Sequence, residues 1–128
     1  MHEAAVAKSI LDIVALRAAE HEGALVRVVK VDLGQFTAVD PESLEFAFDA
    51  IKQDYADCKE SKLELRLVQT RALCASNRHH YMPAASFGFC CTTCGDGIGE
   101  LTAGTELQVT GCVLELPHGG DENARIAG

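Results

Sequence analysis

The chain has 128 residues, is 48% hydrophobic and 23% charged, and carries a formal net charge of −8. This composition predicts one soluble globular domain with at most a small appended module, and it excludes wholesale disorder. The acidic balance disfavours sequence-independent binding to nucleic acid, and no apolar run approaches the roughly 18 residues that a membrane span needs. The opening Met1-His2-Glu3 lacks the basic region of a secretory signal, so the expected compartment is the cytoplasm.

Residues 4–20 read as an amphipathic helix in which Val6, Ile10, Ile13, Val14 and Arg17 recur at helical spacing, with Gly23 as its stop. Residues 24–33 then take on strand character, with Leu25, Val29, Val31 and Leu33 on one face. Asp40-Pro41-Glu42-Ser43 predicts a helix start: Asp40 caps it, Pro41 takes the first helical position and Glu42 meets the positive end of the dipole. Leu44, Phe48, Ile51 and Tyr55 follow at helical spacing. Residues 61–70 alternate Leu63, Leu65 and Leu67 with Lys62, Glu64 and Arg66, which predicts a strand with one wet face. A further strand covers 106–116, with Gly111 as the mark of a bulge.

Residues 72–104 are different, with little periodicity and clustered glycine and cysteine. So long a loop needs a reason, and a metal can organise a segment too small for its own core. The expected fold is α+β: a small mixed β-sheet covered by two helices, with an inserted zinc-binding module. The expected domains are an α+β body from 1–71 and 105–116, a zinc insert from 72–104, and a disordered tail from 117–128.

Four of the six cysteines (Cys58, Cys74, Cys90, Cys91, Cys94 and Cys112) fall in this insert, which in a cytoplasmic chain favours a metal over disulfides. Cys91-Thr92-Thr93-Cys94-Gly95 is the strongest local motif, a half-site whose two thiolates converge on one cation through a turn. Cys74 is a third ligand. Asn77, three positions on, is a poor zinc ligand, so the fourth is open among His79, His80 and Cys90. A thioredoxin-like redox pair is the competing reading, but the Gly-rich, late position of the motif argues against it. Cys112 shares a strand face with Leu114 and Leu116, which makes it a packing residue.

At the other end of the chain, an N-terminal amine, the following backbone nitrogen and the His2 imidazole can chelate one divalent ion of square-planar preference, nickel or copper. Met1 is expected to be retained because His2 is bulky. The competing reading is an idle terminal histidine.

Together these features resemble the HypA/HybF family. The resemblance runs from Met1 to about Leu116. Its carriers are Met1-His2-Glu3, the valine-rich strand ending at Leu33-Gly34, and Leu44-Glu45-Phe46-Ala47-Phe48. The alternating strand before Cys74, Cys91-Thr92-Thr93-Cys94-Gly95 and Gly104-Thr105-Glu106-Leu107 complete it. The resemblance implies a non-enzymatic nickel metallochaperone for [NiFe] hydrogenase maturation. It would work with a HypB-type GTPase and the hydrogenase large-subunit precursor, and not with nucleic acid or membrane. His2 would ligate nickel, with backbone nitrogens of His2 and Glu3. Asp40 lies in the same neighbourhood, but its better-supported role is that of a cap. The family holds zinc with two Cys-x-x-Cys pairs. Cys74, Cys91 and Cys94 match three of these positions and Asn77 replaces the fourth, with His79 the first candidate substitute and Cys90 the second. Loss of one thiolate predicts weaker zinc retention. The alternative is a zinc-stabilised interaction scaffold that has lost nickel delivery.

Overall fold

The computed structural model of the chain describes residues 2–126. It contains two compact units. The first is formed by Met1–Asp32, Val39–Arg66 and Gln108–Gly128, the second by Leu33–Ala38 and Leu67–Leu107. The second unit is thus wider than residues 72–104, because it takes in the short Leu33–Ala38 stretch and the segments on either side of the insert.

In the first unit, α1 (Glu3–Ala18) packs against α2 (Pro41–Ile51). The buried stripe of α1 is Ala7, Ile10, Leu11, Val14 and Ala18. Ile13, expected on that stripe, is 42% exposed, and Leu16 is 75% exposed. Apolar residues surround this helix, so periodicity alone misplaces its inner face. The helix also ends at Ala18, before the turn that holds Gly23.

The start of α2 follows its local chemistry. The Asp40 carboxylate accepts from the Ser43 backbone N–H at 2.9 Å and from the Ser43 hydroxyl at 2.7 Å, with Pro41 in the first turn. These donors hold the Asp40 carboxyl below the usual range. Leu44 and Phe48 are fully buried. Tyr55 lies beyond the helix, where its hydroxyl donates to Asp12 on α1 at 2.5 Å.

A four-stranded sheet has the order β2-β1-β6-β7, with β1 at Leu25–Gly34, β2 at Lys62–Val68, β6 at Leu107–Leu116 and β7 at Gly120–Arg125. On β1, Val29 and Val31 are buried as expected, but Val26 is buried in place of Leu25. On β2 the alternation holds through Arg66, and Leu67 is exposed. Asp32 and Arg66 join β1 to β2 through a two-pronged pair at 2.9 and 2.8 Å.

One expectation is corrected here. The segment from Pro117 is not a disordered tail within the described residues: β7 pairs antiparallel with β6 from Gly111 opposite Arg125 to Leu116 opposite Gly120. Residues 127 and 128 lie outside the described part. Gly111 does not break this β6–β7 register. Its lack of a side chain serves close approach, since a Cβ there would stand 2.9 Å from the Ala124 carbonyl oxygen.

The second unit carries a three-stranded sheet of order β4-β3-β5, with β3 at Arg71–Cys74, β4 at His80–Tyr81 and β5 at Ile98–Ala103. Both pairings are antiparallel. Its core is small: Ala72, Cys74, Tyr81 and Cys91 are buried, with Ile98 and Leu101 packed against them.

Candidate metal centre

Two turns present the metal-ligating side chains of the second unit. In the first, β3 delivers Cys74, and the chain reverses through Arg78 at φ 52°. The Arg78 N–H donates to the Cys74 carbonyl at 3.2 Å, and the Cys74 N–H donates to the His79 carbonyl at 3.1 Å. The second turn is Cys91–Gly95, closed by the Gly95 N–H on the Cys91 carbonyl at 2.8 Å. Gly95 sits at φ 78°, a conformation that a Cβ would strain.

Asp96 braces the two turns. Its carboxylate accepts from the Ser76 hydroxyl and from the Gly97 N–H, and its carbonyl accepts from the Cys91 N–H at 2.7 Å. The Ala75 N–H donates to the Gly97 carbonyl at 2.9 Å.

The result is one cluster of Cys74, His79, Cys91 and Cys94, with one ligand atom from each lying within 4.8 Å of the others. The Cys74 and Cys94 sulfurs are 3.7 Å apart. His79 Nδ1 stands 3.6 Å from the Cys74 sulfur and 3.7 Å from the Cys91 sulfur. A tetrahedral zinc with bonds of about 2.3 Å to sulfur and about 2.0–2.1 Å to nitrogen requires sulfur–sulfur edges of about 3.8 Å and sulfur–nitrogen edges of about 3.6 Å. The donor set and these spacings fit zinc.

Backbone donors prepare the thiolates. Burial raises the Cys74 thiol, but N–H groups of His79, at 3.2 Å, and of Asn77 outweigh it and bring the thiol below its ordinary value. Cys91 shows the same balance: burial raises it, and N–H groups of Cys94 and Thr93 lower it further. Cys94 is lowered by the Asp96 N–H but raised more by burial and by its sulfur neighbours, and its thiol ends above the ordinary value. Bound zinc would tie the two turns together and hold all three sulfurs as thiolates.

Residues 1–114 match the family described as hydrogenase/urease nickel incorporation, metallochaperone, HypA. The chain belongs to the HypA family. It is 31% identical over 109 residues to the hydrogenase maturation factor HypA of Albidiferax ferrireducens, covering 85% of this chain and 95% of that one. It is 32% identical over 109 residues to the HypA of Rhodopseudomonas palustris, with the same coverage. In fold it is similar to the solution structure of the Ni metallochaperone HypA from Helicobacter pylori. The TM-score is 0.60 and the identity 19%, over 100% of both chains.

Of the HypA-type candidates read from sequence, the structure gathers Cys74, His79, Cys91 and Cys94. His80 lies exposed on β4, and Cys90 turns its sulfur to the Gly88 carbonyl, so neither joins the cluster. Two contributors escaped the sequence reading. The side-chain amide of Asn77 donates to the Cys94 sulfur, and Asp96 braces both turns. An amide side chain at the vacated thiol position was the available signal for Asn77. Asp96 has no spacing signature.

At the other end of the chain, His2 is the exposed N-cap residue of α1, and its imidazole makes no capping hydrogen bond. Glu3 opens the helix, and its carboxylate accepts from the Asp40 backbone N–H at 3.4 Å. The starts of α1 and α2 therefore adjoin. Met1, whose amine would complete the chelate, lies outside the described residues.

Proposed function

We propose that this chain is a nickel metallochaperone for [NiFe] hydrogenase maturation, holding structural zinc at Cys74, His79, Cys91 and Cys94 and carrying nickel at the start of α1. The observation that carries the reading is the four-donor cluster, three of whose edges have tetrahedral length, found in a chain whose residues 1–114 match the HypA family. The protein works by binding and hand-over rather than by turnover.

The N-terminal geometry supports nickel at His2. The imidazole is uncommitted, and the Glu3 N–H is among the first-turn donors that a helix leaves unused. Square-planar nickel sites take deprotonated amide nitrogens, and the positive end of the α1 dipole favours such anions. Loading therefore releases protons and weakens as the solution is acidified. An exposed terminal site is open to a partner that fills or empties it.

The partners are the hydrogenase maturation machinery, and within it a HypB-type GTPase and the hydrogenase large-subunit precursor. The work takes place in the cytoplasm. No helix among the described residues is long and apolar enough to cross a membrane.

The test is nickel titration of zinc-loaded, untagged protein beside the His2→Ala variant. One nickel bound by the native chain and none by the variant is the expected result. Equal binding by both, or no binding by either, removes the N-terminal site.

A further inference from the structure

The outer face of α2 has a composition that the fold does not explain. The buried residues Leu44 and Phe48 occupy one side of the helix. At about 100° per residue, Glu42, Phe46 and Asp49 fall on the opposite side and Glu45 on its flank. All four are exposed, and Phe46 at 79% is the most exposed large apolar residue described. From Pro41 to Ile51 the helix contains these three acids and no base. Asp49 is paired with Lys52 at 3.0 Å, so Glu42 and Glu45 carry most of the open charge.

A single exposed apolar residue is ordinary on a protein surface. Phe46 differs in its setting. It stands between carboxylates, and at about 1.5 Å per residue it lies about 9 Å along the helix from Asp40. Asp40 in turn donates its N–H to Glu3, the residue next to His2. A partner seated on Phe46 would therefore reach the start of α1.

We propose that this face of α2 docks a protein partner whose surface is basic and carries an apolar socket: Phe46 fills the socket, while Glu42 and Glu45 meet its cations. The charges select and steer the partner, and the aromatic side chain anchors it. The face would thereby bring the partner to nickel at the N-terminus, an inference that rests on the nickel reading above. Anionic lipid and nucleic acid are disfavoured as occupants by the same carboxylates and by the net charge of −8.

The test places photoreactive benzoylphenylalanine at position 46 of the full chain in a hydrogenase-producing host, and maps the cross-linked peptides by mass spectrometry. The expected product joins position 46 to a second protein at an apolar residue flanked by lysine or arginine. Its yield falls at least about tenfold with Glu45→Lys, because a repulsive charge at the contact costs more than 1.4 kcal/mol. In parallel, Phe46→Ala lowers hydrogenase maturation while purified Phe46→Ala protein still titrates with one nickel. A cross-link to residues 67–107 of this chain, to a second copy or to lipid overturns the proposal. So does a yield indifferent to Glu45→Lys, or intact maturation in Phe46→Ala. Absence of nickel binding by the native protein would instead overturn the nickel reading, and the cross-link map would stand apart from it.

Discussion

The two units use cysteine in opposite ways. In the first, Cys58 and Cys112 are buried among apolar residues. Burial pushes the Cys58 thiol up to about 11, and Cys112 is also raised, first by burial. No ligand cluster forms around either one among the described residues. In the second, Cys74 and Cys91 are as little exposed but less deeply packed, and their sulfurs receive backbone N–H groups and fall below the ordinary value. Low exposure alone therefore does not separate a packing thiol from a ligand. The separation comes from turns that aim N–H groups at sulfur. The interior of a helix or strand cannot do this, because its N–H groups are already committed.

The largest expected effect breaks the second unit and spares the first. Cys91→Ala should abolish stoichiometric zinc and collapse the dispersion of amide resonances from Leu67–Leu107, because the small core around Tyr81 cannot hold the module alone. Cys112→Ala should leave zinc stoichiometry intact and cost about 1–2 kcal/mol of stability. Retention of a dispersed module in zinc-free Cys91→Ala would end the contrast.

A finer cut comes within the zinc site. His79→Ala should lower zinc affinity, in chelator competition, by more than the roughly 10–100-fold typical of losing an outer partner. Asn77→Ala should fall within that range, through its hydrogen bond to Cys94, and Cys90→Ser should change nothing. An equal loss in Cys90→Ser and His79→Ala would reassign the fourth ligand. The native site, with one thiolate fewer than a four-cysteine relative, should also release zinc more readily.

The smallest effect concerns the first unit, which relies on ordinary ion pairing. Hydrogen bonding to Arg66 holds Asp32 below its usual carboxyl value despite burial. A lowered folded value means that the stabilisation is present above the unfolded value, near pH 4, and disappears as pH falls through the folded one. Asp32→Asn should flatten this part of the acid limb by no more than about 1 kcal/mol, because Arg66 is largely exposed. Acid unfolding of α1 and α2, followed by their own resonances, gives the measurement. An unchanged acid limb would deny the pair any role.

How far the sequence carried the fold depended on whether the signal was local. Asp40-Pro41-Glu42-Ser43 folded as read, because a cap is decided within four residues. On α1 the inner face was misplaced, because Val6, Ile13 and Leu16 are as apolar as the residues that are buried. β7 escaped because Gly-Asp-Glu-Asn-Ala-Arg has little strand propensity, and its order comes from pairing with β6. Three zinc donors were legible from cysteine spacing. His79 was already the first candidate for the fourth donor, from its place just past Asn77, and the reversal at Arg78 is what brings it, and not His80, to the cluster.

The order β2-β1-β6-β7 also has a consequence for synthesis. The ribosome makes β1 and β2 early, but β6 emerges only after the whole metal module. The central strand thus waits for its second neighbour until the chain is nearly finished. If the module condenses around its ion during that interval, the loop to be closed becomes shorter in effective length. Each halving of such a loop saves only about 0.6 kcal/mol, yet that entropy must be met before the β1–β6 pairing gives anything back. Zinc supply during translation would then set the pace at which the other unit completes its sheet.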